Sequence, residues 1–142
     1  LSIGYLDRDG EIEILRGQQL TDPLDSVESV MDCADLRRIH QAVREVTIEE
    51  SLCGYIVDIV QATREADSLE YGASPRGSLD VQRFAQAQAL LAGRDYVLPD
   101  DIKATARAVL PHRLIAKKGT RSVSVSANSV IDHIVEAVPV PI

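Results

Sequence analysis

The sequence predicts a mainly α-helical domain, a bundle closed by a small C-terminal β-hairpin and a terminal helix. Three observations predict it. Apolar residues recur at three- and four-residue spacing in successive windows, helix-starting residues stand ahead of most of them, and the alternating run Val123-Ser124-Val125 lies near the end of the chain.

Leu1-Ser2-Ile3-Gly4-Tyr5 has the pattern of a short apolar strand without its sheet, and Asp7 is placed to cap a first helix carrying Ile12 and Leu15. Thr21-Asp22-Pro23-Leu24-Asp25-Ser26 reads as a linker, because proline and short polar side chains favour turns. A boundary is therefore drawn between residues 1–20 and a helical domain over 21–142. Asp32 is placed to cap a second helix with Leu36, Ile39 and Val43 on one narrow stripe. Thr47 and Glu50 have the spacing of a capping box ahead of Leu52, Tyr55, Ile56, Ile59 and Val60, which share one helical face.

Residues 65–73 read as a loop. Ser74-Pro75-Arg76 restarts a helix, with serine at the cap and proline in the first turn, where a missing N–H costs nothing. Its apolar face is read as Val81, Phe84, Ala85, Leu91 and Ala92. Gly93 suits the left-handed position past a helix end, and Pro99-Asp100-Asp101 opens a helix holding Ile102, Ala106 and Val109. Pro111 stops that helix. Leu114-Ile115 is expected to pair with Val123-Ser124-Val125 across Gly119, and Ser126 to cap a last helix with Val130, Ile131, Ile134, Val135 and Val138 on one face.

Composition narrows the function. At 142 residues, 45% hydrophobic and 26% charged, the chain can bury a core without metal or disulfide staples and has no long apolar run for a membrane span. Its formal charge of -7 repels phosphate backbones and anionic membranes, so neither partner is expected. Cys33 and Cys53 form no CxxC pair and read as reduced, mostly buried small hydrophobes. With no secretory leader in the opening residues, a cytoplasmic location is expected; with Met31 the one methionine, a chain opening at Leu1 is expected to be a piece of something larger.

Local chemistry is sparse. No phosphate-cradling G-x-x-x-x-G-K-[ST] loop, G-x-G-x-x-G or G-x-S-x-G occurs. His40, His112 and His133 lack metal-ligand spacing and read as surface or helix-end residues, so no metal site is expected. Tyr71-Gly72-Ala73-Ser74-Pro75-Arg76-Gly77 is different, because it places an arginine in the first turn of a capped helix after a loop small enough for close approach. Helix-start amides and a permanently charged guanidinium together favour a phosphate. An arginine so placed is nonetheless more often a solvated surface charge.

Gly72-Ala73-Ser74-Pro75-Arg76-Gly77, then Gly93-Arg94-Asp95-Tyr96-Val97-Leu98-Pro99-Asp100-Asp101-Ile102, then His112-Arg113-Leu114 resemble the C-terminal lid of MoxR-family AAA+ ATPases in order and spacing. Tyr55-Ile56-Val57 with Thr63-Arg64 fits the same pattern, and Gly4-Tyr5-Leu6-Asp7-Arg8 resembles the family's crossing from ATPase core to lid. Two positions depart from the pattern: Leu6 stands where the family has proline, and Leu98 replaces a small polar cap.

The resemblance implies an AAA+ lid-type bundle, with residues 1–20 ending the core and 21–142 forming the lid. It implies that Arg76 is the sensor-2 arginine, a catalytic contact to the terminal phosphate of ATP, with Ser74, Tyr5 and Ile14 near the nucleotide. The helix around residues 36–43 resembles the insertion before sensor 2, which leaves open whether Arg76 serves its own subunit or a neighbour. ATP and Mg are implied for the full-length protein, with no tight binding to this chain alone, which carries no Walker A or B motif. The implied partners are an N-terminal ATPase core, further copies in a homo-hexameric ring, and a client bearing a von Willebrand factor A domain in chaperone-like maturation. Two other readings stay open on the residues alone: a stand-alone helical protein–protein interaction module, and a winged-helix nucleic-acid binder using Arg113, Lys117, Lys118 and Arg121.

Overall fold

The computed structural model describes residues 4–19, 22–117 and 126–141. They fall into two compact units, Leu1–Leu36 and Arg37–Ile142. In the first, helix α1 (Arg8–Gly17) begins where Asp7 accepts a hydrogen bond from Gly10 N at 2.9 Å, and it buries no residue. A short 3-10 turn, Pro23–Ser26, follows under an Asp22 cap.

Helix α2 (Cys33–Glu45) starts at the expected cap: Asp32 Oδ1 accepts from Asp35 N at 2.7 Å while Asp35 Oδ2 accepts from Asp32 N at 3.0 Å. Its predicted stripe is largely uncovered, since Leu36 and Ile39 are exposed and only Val43 is half-buried. Cys33 is exposed and Cys53 half-buried, so the expectation of mostly buried cysteines is corrected for Cys33; both thiols are free.

The second unit is built on helix α3 (Glu50–Glu65), whose buried face is Leu52, Tyr55, Ile56, Ile59, Val60 and Thr63. Each fully buried Val, Leu or Ile side chain contributes roughly 1.5–3 kcal/mol of apolar burial. The expected capping box is absent: Glu49 occupies the cap position without a side-chain bond. Thr47 lies outside the helix as one half of a parallel bridge, its N–H donating to Asp95 O at 2.8 Å and its carbonyl accepting from Val97 N at 3.0 Å. A long-range backbone pairing has overridden a local spacing.

Strand β1 (Leu69–Tyr71) pairs antiparallel with β2 (Ile115–Ala116). Ile115 therefore does enter a two-stranded sheet, but its partner is a segment read as loop; Val123-Ser124-Val125 lies outside the described residues. Between the strands run helix α4 (Pro75–Leu91), helix α5 (Pro99–Val109) and a 3-10 turn, Leu110–Arg113. Helix α4 turns Gly77, Val81, Ala85 and Ala89 inward, a four-residue repeat of small side chains that lets neighbouring helices approach. Phe84 and Leu91, expected on that face, are 60% and 89% exposed. Gly93 has the expected positive φ of 74°. Helix α6 (Ala127–Ala137) begins at the Ser126 cap and buries Val130, Ile131, Ile134 and Val135, with Val138 half-buried just beyond it. The core lies among α3, α4, α5 and α6.

Candidate functional site

The start of α4 is fixed from two sides. On one, Gly72 packs so tightly on the end of α3 that a Cβ would lie 2.6 Å from both Arg64 N and Thr63 O. The small residues ahead of Arg76 thus serve the approach of two backbone segments. The fully buried Thr63 hydroxyl accepts from Ala73 N at 2.9 Å and donates to Val60 O at 2.6 Å, while Arg64 Nε donates to Ala73 O at 2.9 Å. Thr63-Arg64, a motif in sequence, is a latch in structure.

On the other side, a Cβ at Gly77 would come within 3.3 Å of Leu110 Cδ2. One turn further on, Asp80 forms an ion pair with Arg113 from the 3-10 turn after α5. Asp80 also sits four residues after Arg76, at helical pairing distance. Arg113 engages that carboxylate, and Arg76 is exposed with no ion-pair partner among the described residues. Sequence reasoning named Arg113 but not Asp80, and no local pattern ties two residues so far apart.

Ser74 is the cap by position, but its hydroxyl makes no capping bond. Pro75 has no N–H, and Gly77 N donates to Ser74 O at 2.7 Å, so this helix start offers fewer free amides than the sequence suggests. Tyr5 and Ile14 both belong to the first unit and are 103% and 51% exposed. Among the described residues no group of acidic, histidine or cysteine side chains could hold a metal ion.

A second motif is held by Asp101, which takes Arg94 in a two-pronged bond, Nη1 to Oδ2 and Nη2 to Oδ1, both 2.8 Å. Asp101 Oδ2 also accepts from Leu98 N at 2.8 Å, which restrains the start of α5 although Leu98 has no capping oxygen of its own. The Arg94 bond holds the Asp101 carboxyl below the usual carboxylate range, burial opposes this, and the Leu98 amide adds to the lowering. Arg94 and Asp101 are thus structural elements of the α4–α5 corner.

Residues 61–134, which include the α3 latch and the start of α4, match the family model of the AAA lid domain. This chain belongs to the AAA lid domain family. Its relatives include the uncharacterized protein YeaC of Bacillus subtilis, 37% identical over 100% of this chain and 44% of that protein. Chaperone MoxR1 of Mycobacterium tuberculosis is 30% identical over 99% of this chain and 39% of its own length. A crystal structure of a candidate ATPase from Cytophaga hutchinsonii superposes with a TM-score of 0.81 at 34% identity, over 98% of this chain and 45% of the other. The AAA lid domain chain spans less than half the length of each of these relatives. It is the C-terminal lid region of a MoxR-like AAA+ ATPase, mainly α with a small two-stranded antiparallel sheet. No helix among the described residues is long and apolar enough to cross a membrane.

Proposed function

We propose that this lid couples ATP binding and hydrolysis in its parent protein to chaperone-like remodelling of partner proteins, with Arg76 contacting the terminal phosphate. The observation that carries the reading is the exposed guanidinium, without an ion-pair partner among the described residues, on a helix start latched to α3 and tied to Arg113. A cation carried on a fixed helix start is placed to meet the charge that develops on a transferring phosphoryl group. The ATPase core supplies the phosphate-binding loop and the Mg ligands. Ser74 adds a hydroxyl beside Arg76; Tyr5 and Ile14 are proposed separately as side chains that pack near adenine.

By this reading the parent protein is a homo-hexameric ring in the cytoplasm that acts on clients bearing von Willebrand factor A domains. The name of the Mycobacterium tuberculosis relative, a chaperone, supports the remodelling part. The test is Arg76→Ala in the full-length protein at saturating ATP. Turnover should fall on the order of 100-fold, whereas the urea midpoint should hardly move because the side chain is exposed. Turnover close to that of the unsubstituted protein would remove Arg76 from the mechanism. The chain alone should neither hydrolyse ATP nor bind it at micromolar concentration by calorimetry.

A further inference from the structure

A groove of about 270 Å³ is lined by His40, Val43 and Arg44 of α2 and by Arg83, Phe84, Gln86 and Ala87 of α4. No acidic residue lines it. Nearby, Glu45 accepts from Gln41 Nε2 at 2.9 Å and Asp80 pairs with Arg113. Arg44 and Arg83 have no ion-pair partner among the described residues. In a chain of formal charge -7, this is a cationic island around an apolar slot. Its position is fixed by Gln86, whose buried Nε2 donates to Val46 O at 2.7 Å and ties α4 to the end of α2.

The complementary surface lies on residues 24–31. Leu24, Val27, Val30 and Met31 are 74%, 72%, 92% and 47% exposed, and Asp25 and Glu28 stand between them without a partner among the described residues. Flanking Asp22 and Asp32 differ, since both are used as caps. An acidic stretch with uncovered branched side chains matches a basic-rimmed apolar groove in charge and in chemistry. Within a single chain both surfaces face solvent.

We propose that the α2–α4 groove receives residues 24–31 of a second copy of the chain. Val27 and Val30 pack against Phe84 and Val43, and Asp25 and Glu28 meet Arg44 and Arg83. The pairing is independent of the Arg76 reading, because Arg76 is not among its residues. Salt weakens it, since the rim charges are exposed and are screened beyond about 8–10 Å.

The test is fluorescence anisotropy of a labelled peptide of residues 22–32 titrated with the 142-residue chain. Saturable binding is expected, weaker by at least about tenfold for Arg83→Glu and for Arg44→Glu, both exposed positions whose substitution leaves the fold intact. In the intact chain, self-association measured by sedimentation equilibrium should be lost with Arg83→Glu. Absence of saturable binding up to about 1 mM chain, or equal binding to both charge-reversed chains, overturns the proposal. So does equal binding of a scrambled peptide, which would make the groove a general acceptor of acidic partners.

Discussion

Replacing Gly72 by alanine drives a methyl group into the end of α3. The new carbon would stand 2.6 Å from Arg64 N and Thr63 O and 2.7 Å from Arg64 Cα, all helix backbone atoms that cannot swing aside. Because the φ of Gly72 is not in the left-handed region, the cost is steric. Ordinary contact needs a retreat of roughly 1 Å. A retreat of that size stretches two bonds of 2.9 Å past hydrogen-bonding range, Ala73 N to Thr63 Oγ1 and Arg64 Nε to Ala73 O. One neutral bond at about 1 kcal/mol and one charged bond at about 2 kcal/mol give a loss of roughly 3 kcal/mol. Urea unfolding of the chain followed by circular dichroism should show it as a midpoint lowered by about 1.5 M, for a slope near 2 kcal/mol/M. A loss below about 0.5 kcal/mol would refute the latch.

Two further outcomes concern buried ionisable groups. Tyr55 is 2% exposed and its hydroxyl has no hydrogen-bond partner among the described residues; burial first, and Glu136 second, push its ionisation above the usual tyrosine value. A raised acid contributes stability that is present below its unfolded value and lost as pH climbs through its folded one. Tyr55→Phe should therefore gain roughly 1 kcal/mol at neutral pH and flatten the decline above about pH 10, both read from urea midpoints against pH. For Asp101 the sign is opposite: its lowered carboxyl contributes above the unfolded value and ceases to contribute as pH falls through the folded one. Asp101→Asn should lower the midpoint at pH 7 with a difference that closes below about pH 3–4, and an equal difference at both ends would exonerate the Arg94 pair.

Helix identity was legible wherever burial is periodic and caps are local. The face of α3 from Leu52 to Val60, the caps at Asp7, Asp32 and Ser126, and the turn at Gly93 need only neighbours in sequence. What could not be read depends on distant partners. Thr47 pairs with residues 95–97 rather than with Glu50, and Leu69–Tyr71 becomes a strand only because Ile115–Ala116 arrives beside it. Phe84 misled because apolarity was taken for burial; the small side chains of the true inward face of α4 carry a weaker signal. At the site, the motif residues Thr63, Arg64 and Arg113 stood out through resemblance to a family. Their work of holding and insulating the start of α4 appears only in three dimensions.

The two backbone pairings overlap along the chain. One joins residue 47 to 95–97 and the other joins 69–71 to 115–116, and α4 is the helix enclosed by both. Melting it would open two closures at once, so its amides should exchange with solvent near the rate set by global unfolding. The first turn of α4 and both closures are consequently expected to open and re-form as one cooperative step.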